Sequence, residues 1–196
     1  MSVTHIGSKS GHEAQIWLNE LPAEAGFDCS QIIEGNRMRA YREGHLVTPR
    51  VAAEVLWRQS HDTERHYVLL GGQYTGAIDG EFHVEACAGH RAVPAPDWTL
   101  EPRFWESWHV TAGLPMPAAR VSALVPLSRL KDQLPPGTFR VTHSLYSEFT
   151  ADRMVAGVTE FLIQIALQRV LPDDEWLVSA LGEALSGPYR HGEYRA

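Results

Sequence analysis

The side chains that could hold a metal ion lie mostly in one region of the chain. The chain has ten histidines, and none forms an HxH pair. His83 and Glu85 are two residues apart, so on a strand they share a face, and His90 and His109 could approach from elsewhere. These four residues would support a small metal-dependent enzyme. However, the alternation that buries Phe82 exposes His83, so we favour a polar outer face. We predict no catalytic residue, no metal and no cofactor.

The two cysteines, Cys29 and Cys87, are far apart and lack CxxC or Cys/His ligand spacing. This number and spacing of cysteines predicts reduced structural thiols in a cytoplasmic protein. Cys87 could also be a nucleophile with His90 or His109 as its base. A lone cysteine on a strand is more often a small packing residue, and we favour that interpretation.

Aromatic residues concentrate in one irregular stretch, where Trp98, Phe104, Trp105 and Trp108 fall within eleven residues. Such rings offer a ligand a large contact area, so they could line a pocket mouth, although a lid packed on the core is the alternative. Trp57 and Tyr67 are equal candidates if their strands turn them inward, and an arginine nearby could pair with an anionic ligand. The predicted ligand-binding residues are therefore Trp57, Tyr67, Trp98, Arg103, Phe104 and Trp105.

The elements that must position these residues are organised around the stretch 65–98. Residues 67–70 form an apolar, branched run typical of a strand, and Gly71-Gly72 then interrupts it, as at a bulge or bend. Asp79-Gly80 is a strong hairpin signal. Residues 82–87 alternate between apolar and polar, and one more short strand follows. The pattern predicts a compact antiparallel meander.

Two further segments are predicted as strands. Residues 51–59 (VAAEVLWRQ) contain small residues that suit a helix. Residues 51, 53, 55 and 57 alternate with residues 52, 54, 56 and 58, however, so we favour a strand. Residues 119–124 are apolar and predict a second strand, followed by a short helical turn through residues 126–130.

Helices follow in the C-terminal part of the chain. Residues 150–171 carry an amphipathic helix with a wide apolar stripe, and Pro172 ends it. Asp173 or Asp174 can cap a second helix, so the two predict an αα-hairpin. The stripe could pack wholly within one chain, but we expect part of it to contact a twofold-related copy. The predicted dimer-interface residues are Val158, Phe161, Leu162, Ile165, Leu177 and Leu181.

Composition excludes some classes of function. The formal net charge is −7 and no Lys/Arg cluster occurs, so the charge pattern of a nucleic-acid binder is missing. The N-terminus is polar, without the apolar segment of a secretory signal, and no apolar run reaches the ~20 residues of a membrane-spanning helix. We expect a cytoplasmic protein without a membrane partner.

Four passages in sequence order carry a family resemblance. They are a strand with a small-residue turn and a DG hairpin (YVLLGGQYTG, AIDGEF), a Gly turn leading to a Pro loop (AGHRAVPAPDW), a late strand running into a short helix (ARVSALVPLSRLKDQLP), and two C-terminal helices. In this order they resemble the N-terminal, cupin-like effector-binding and dimerisation domain of AraC-family transcription regulators. The resemblance covers roughly residues 28–185.

The resemblance implies an α+β fold: an antiparallel, cupin-like β half-barrel followed by an αα-hairpin. Residues 1–14 are polar and contain glycine and serine, so we predict a mobile tail there. With the resemblance, the rest of the chain divides into a β sensor domain (15–145) and a two-helix dimerisation segment (146–190). The resemblance implies a non-catalytic domain that binds a small-molecule effector and forms a homodimer. The family's helix-turn-helix DNA reader is not in this chain, so this is either a sensor domain cut from a longer regulator or a sensor-like protein without a reader. The alternative is a small metal-dependent cupin-type enzyme.

Overall fold

Ten strands in one mostly antiparallel, open sheet and three α-helices make up the described part of the chain. The computed structural model describes residues 3–7, 12–35, 37–45, 47–58, 65–89, 91–93, 110–147, 150, 152–168 and 172–186. The strands are β1 (Val3–Gly7), β2 (His12–Leu18), β3 (Gln31–Glu34), β4 (Met38–Arg39), β5 (Arg50–Arg58), β6 (Arg65–Gly76), β7 (Glu81–Ala88), β8 (Arg91–Val93), β9 (Val110–Ala112) and β10 (Gly137–Ser147). The helices are α1 (Met116–Leu130), α2 (Asp152–Ala166) and α3 (Asp174–Ser186). The α+β class is confirmed.

β10 lies between β6 and β7, in a sheet ordered β1-β2-β5-β6-β10-β7-β3. It runs antiparallel to β6 and parallel to β7. The predicted meander is therefore wrong, because β6 and β7 each pair with β10. Gly80 does adopt the positive φ that the turn signal requires, at 105°. A local turn signal fixes the backbone of the turn, but it does not fix which strands pair.

The irregularity expected at Gly71-Gly72 occurs in the partner strand instead. β6 continues through both glycines, and the register shift lies in β10 between Val141 and His143. A Cβ on Gly72 would come within 2.5 Å of the Arg140 carbonyl oxygen. The glycine is therefore needed for the close approach of the β10 backbone.

Residues 51–58 of the predicted strand 51–59 belong to β5, and residue 59 lies outside the described residues, but residues 119–124 belong to α1. Most side chains of α1 are buried, because the helix lies against α2 on one side and β7 on another. A helix covered on several sides has no polar face to mark its period, which explains why the strand prediction was wrong. The Ser122 and Thr159 hydroxyls, 2.7 Å apart, join α1 to α2 inside this packing.

The sheet packs on both faces. α2 lies over β5 and β6, α1 over β7, and α3 contacts α2 and β1. The face under the helices includes Val51, Ala53, Val55, Val68, Leu70, Tyr74, Phe82, Val84, Phe139 and Val141. The opposite face carries a smaller buried cluster of Trp17, Ala25, Ala52, Leu56, Tyr67, Leu69, Ala112 and Leu145. The period-two alternation of residues 82–86 is confirmed.

Both C-terminal helices form near their predicted positions, and their apolar stripe is used within the chain. The Asp173 carboxylate accepts a hydrogen bond from the Trp176 amide at 2.8 Å, which confirms the predicted cap. Gly157 of α2 lies against the Ala184 carbonyl of α3, where a Cβ would come within 2.7 Å.

The six residues predicted for a dimer interface are all at most 4% exposed: Val158, Phe161, Leu162, Ile165, Leu177 and Leu181. This corrects their assignment, since an interface through them would require the core to open.

One guanidinium connects the three helices. Arg129 of α1 lies 2.7 Å from the buried carboxylate of Glu160 on α2. It also donates hydrogen bonds to the Ala184 and Glu183 carbonyls of α3, at 2.9 and 3.1 Å. Burial raises the pKa of Glu160 to about 7, against the opposing effect of the Arg129 charge, and the Glu183 carboxylate adds to the rise.

Replacing this guanidinium should destabilise the fold. For Arg129→Met we expect the free energy of unfolding at pH 8 to fall by about 3–5 kcal/mol, because a buried carboxylate loses its partner. Urea unfolding followed by circular dichroism measures this. Arg120→Met is the matched control, since Arg120 is exposed on the same helix. Equal losses in the two variants would contradict the assigned role.

The carboxyl of Glu160 should make stability depend on pH. A carboxyl with a pKa near 7 in the folded state and 4.5 in the unfolded chain favours folding in its protonated form. The contribution of protonated Glu160 to the free energy of unfolding is complete below 4.5, the pKa in the unfolded chain. It is lost as the pH rises through about 7, the pKa in the folded protein. We expect the free energy of unfolding to fall between pH 5 and 8 more steeply in the wild type than in Glu160→Gln. Parallel curves from urea unfolding at four pH values would refute this.

Candidate functional site

Of the six residues predicted to bind a ligand, the two that the structure describes lie on opposite faces of the sheet. Trp57 pairs with His66 across β5 and β6, whereas Tyr67 pairs with Leu56. Because neighbouring residues on a strand face opposite ways, Trp57 lies under the helices and Tyr67 lies on the other face. Trp98, Arg103, Phe104 and Trp105, together with Trp108, lie outside the described residues.

Trp57 is the centre of a row of rings that crosses three strands. Its ring stacks with His12 of β2 at 5.5 Å and with His66 of β6 at 5.3 Å between centroids. The Arg153 guanidinium, in the first turn of α2, lies 4.8 Å from the centroid of the Trp57 ring. Burial lowers the pKa of His12. This arrangement stabilises the start of α2 on the sheet through cation–π contact and stacking.

Tyr67 is an interior residue, only 2% exposed, on the face opposite the helices. Burial raises the pKa of Tyr67 well above its ordinary value, and the neighbouring Glu54 carboxylate, itself fully buried, adds to the shift. The Thr150 hydroxyl donates a hydrogen bond to the Tyr67 carbonyl oxygen and contacts the Ser147 hydroxyl at 2.9 Å. These contacts attach Thr150, which lies between β10 and α2, to the sheet.

The four candidate metal ligands are only half described. His83 and Glu85 do share a face of β7, opposite Thr138 and Arg140 of β10. The Glu85 carboxylate forms an ion pair with the Arg140 guanidinium. His90 and His109 lie outside the described residues. Within the part of the chain that is described, no three His, Cys, Asp or Glu side chains come together as a metal site.

The cysteines form a disulfide, which corrects the prediction of reduced, separate thiols. Cys29 and Cys87 are 58 residues apart in sequence, and their Cα atoms are 5.3 Å apart, within the usual range for a disulfide. Pairing of β3 with β7 places Ile32 opposite Cys87 and brings the preceding loop alongside. A bonded Cys87 is not a nucleophile. Disulfides are rare in the cytosol, so the predicted cytoplasmic location stays a prediction.

The described helices do not include one long and apolar enough to span a membrane.

A cleft of about 680 Å³ opens where the end of β2, the segment entering β5 and the end of α2 meet. We call it the sheet cleft. It is lined by Asn19, His45, Val47, Thr48, Pro49, Tyr74, Pro135, Ala166, Leu167 and Gln168. None of these residues was a predicted site residue.

The wall formed by His45 and residues 47–49 is held by backbone contacts with β6. The Gly76 amide donates to the Val47 carbonyl at 2.8 Å, and the Tyr74 amide donates to the Pro49 carbonyl at 3.0 Å. A Cβ on Gly76 would come within 1.9 Å of the His45 carbonyl oxygen, so a side chain there would displace the wall. Glycine thus sets the distance between this segment and the sheet.

Tyr74 forms part of the floor of the cleft. Its hydroxyl donates a hydrogen bond to the Pro136 carbonyl at 2.7 Å, and its ring stacks on Phe82 with 5.9 Å between centroids. Burial raises the pKa of Tyr74 to about 12, so the phenol stays neutral at ordinary pH. Its hydroxyl is held by a backbone acceptor, so Tyr74 is suited to contact a ligand with its ring.

The lining combines apolar surface with hydrogen-bonding groups. Valine, proline, alanine and leucine supply the apolar part, while Asn19, Thr48 and Gln168 offer amide and hydroxyl groups and His45 offers an imidazole. Such a surface can bind and orient an organic molecule. Sequence reasoning missed it because its residues come from five separate segments and share no motif.

A second cleft, of about 460 Å³, adjoins the first and is lined mainly by α3 and by the ends of α1 and α2. We call it the helix cleft. Its lining is Arg42, Leu130, Gln133, Gln164, Leu167, Gln168, Trp176, Ser179, Ala180 and Glu183. Leu167 and Gln168 belong to both clefts, so the end of α2 separates them.

No family model, no curated protein and no solved structure matches this chain. The resemblance to AraC-family domains therefore stays a prediction, and the geometry of the sheet cleft supplies the evidence for function.

The glycine at the cleft wall is open to a direct test. We expect Gly76→Ala to lower the free energy of unfolding by about 1–3 kcal/mol, because its Cβ would overlap the His45 carbonyl. In Gly182→Ala the new Cβ meets open space on α3, so helix propensity should instead raise stability by about 0.5–1 kcal/mol. Urea unfolding of both variants measures the difference. A neutral Gly76→Ala would show that the wall does not depend on this contact.

Proposed function

We propose that this chain is a non-catalytic, small-molecule-binding domain and that the sheet cleft holds its ligand. The observation that carries the proposal is the cleft itself, with a volume of about 680 Å³ and a mixed lining. Pockets for drug-sized ligands span roughly 300–1,000 Å³ and combine apolar surface with a few placed polar groups.

The fixed geometry of the cleft supports the proposal. Backbone hydrogen bonds join residues 47 and 49 to β6, and Tyr74 is held by Pro136. A cavity whose walls are already in place costs little ordering when a ligand enters, which favours affinity.

The position of α2 suggests how binding would be transmitted. The last turn of α2 and the residues after it line the cleft, while Glu160 in the same helix pairs with Arg129 of α1. Arg129 in turn holds two carbonyls of α3. A ligand that binds one position of α2 better than another would therefore bias all three helices together.

The resemblance in sequence extends this proposal to an effector domain of an AraC-type regulator. In that role the chain has a cupin-like half-barrel and an αα-hairpin, forms a homodimer, and contacts DNA only through a region outside it. The dimer would use a surface other than the six buried residues of α2 and α3. A regulator acts where its DNA is, so the proposal includes the cytoplasm, where the Cys29–Cys87 pair would be exposed to reduction.

A cleft-filling variant tests the ligand site. We expect some members of a broad metabolite library to raise the melting temperature of the wild type. Thr48→Trp, which places an indole in the cleft, should weaken those members at least tenfold. Thr75→Trp is the matched control, because Thr75 is exposed on β6 and does not line the cleft.

Thermal shift identifies the binding compounds, and native mass spectrometry reports both a retained ligand and the dimer. A library without a single stabilising compound would contradict the proposed function. So would a Thr48→Trp variant that binds the identified compounds as tightly as the wild type.

A further inference from the structure

We infer that Asn19 determines which ligands the sheet cleft accepts. Its carboxamide pairs with a hydrogen-bond donor and an acceptor that lie side by side on the ligand, as they do in a lactam or a primary amide. This inference rests on the proposed function and adds the chemical class of the ligand. Three features of Asn19 carry it: its backbone conformation, its position beside the cleft wall, and the paired hydrogen bonding of its side chain.

Asn19 has a backbone conformation that residues with a side chain rarely adopt. Its φ is 64°, and among the described residues it is the one non-glycine residue with a positive φ. The Cβ atom crowds the backbone in this left-handed region, whereas glycine adopts the conformation without that crowding. The chain therefore keeps a side chain where glycine would suit the backbone better. Such conformations cluster at catalytic and ligand-binding sites.

A backbone hydrogen bond holds Asn19 beside the wall of the cleft. β2 ends at Leu18, and the Asn19 amide then donates to the Arg50 carbonyl oxygen at 2.7 Å. Arg50 begins β5 and directly follows Thr48 and Pro49, which line the cleft together with Asn19. The contact that positions Asn19 therefore uses its main chain. Because the residue is exposed, its side chain is accessible to a ligand in the cleft.

The side chain of Asn19 can donate and accept a hydrogen bond at the same time. A carboxamide carries an NH₂ donor and a carbonyl acceptor in one plane. It forms two parallel hydrogen bonds with a group that presents an acceptor and a donor side by side, as asparagine does with the edge of adenine. A lactam or a primary amide presents the same pair. An analogue that lacks one partner binds more weakly, because a polar group of the site then loses water without a replacement.

The other polar side chains of the described lining suit this pairing less well. Thr48 has a single hydroxyl, and the two ring nitrogens of His45 are separated by a carbon atom. The Gln168 carboxamide already donates from its nitrogen to the Gln164 carbonyl at 3.1 Å. Apolar lining residues such as Leu167 can contact the rest of the ligand. An aromatic ring with a lactam edge meets both requirements.

Three aromatic probes that differ at this edge test the inference. 2-Quinolone carries an N–H donor beside a carbonyl acceptor, N-methyl-2-quinolone lacks the donor, and quinoline lacks the carbonyl. Binding to the full chain is followed by NMR through the backbone amides of residues 19, 48 and 168. We expect 2-quinolone to bind about fivefold more tightly than either analogue, the factor that one hydrogen bond contributes. Equal affinities that Thr48→Trp weakens for all three probes would overturn the inference and leave the proposed function standing.

Two substitutions of Asn19 separate ligand recognition from the backbone conformation. Asn19→Gly removes the carboxamide but suits the left-handed conformation, so the preference for 2-quinolone should disappear without a loss in melting temperature. Asn19→Ala also removes the carboxamide but disfavours the conformation, so the preference should disappear and the melting temperature should fall. Gln133→Ala removes a carboxamide from the helix cleft and is the control that should keep the preference.

The outcomes distinguish the inference from the proposed function. An Asn19→Gly variant that still prefers 2-quinolone would overturn the inference, and so would a wild type whose cleft amides respond to none of the three probes. The proposed function is judged separately by the metabolite library, because a library compound that Thr48→Trp weakens supports the sheet cleft whatever group Asn19 contacts.

Discussion

β10 pairs with both β6 and β7, and this central position organises the sheet and the helices around it. β10 buries Phe139 and Val141 under the helices and Leu145 on the other face. Its insertion places α1, which precedes it, and α2, which follows it, on the same side of the sheet. It also brings Pro136 to the Tyr74 hydroxyl and Pro135 to the rim of the cleft.

Local patterns predicted the parts of the fold that local physics determines. Period-two alternation identified β5 and β7, and the apolar stripe and Asp173 located α2 and α3. The predictions were wrong where contacts between segments that are distant in sequence determine the structure. The meander was wrong because a strand from residues 137–147 separates β6 from β7, and α1 was missed because its neighbours bury most of its side chains. The Cys29–Cys87 pair likewise depends on how β3 pairs with β7.

The candidate site could not be predicted from the sequence for a related reason. Trp57 and Tyr67 are residue types that often contact ligands. Trp57 pairs with His66, the residue next to Tyr67 on β6, so the two side chains lie on opposite faces of the sheet. The cleft uses neutral side chains and backbone spacing, set at Gly76 by a close approach to His45. Recognition by shape and a few neutral polar groups leaves no charged or metal-binding motif in a sequence, whereas catalysis or phosphate binding usually does.

A crystal structure of the protein purified from cells without a denaturing step would show directly whether the sheet cleft holds a ligand. We expect density for a small organic molecule between Tyr74, His45, residues 47–49 and the end of α2, with its apolar part toward Val47 and Leu167. A cleft filled by the protein's own side chains, or a bound molecule seated elsewhere, would contradict this expectation.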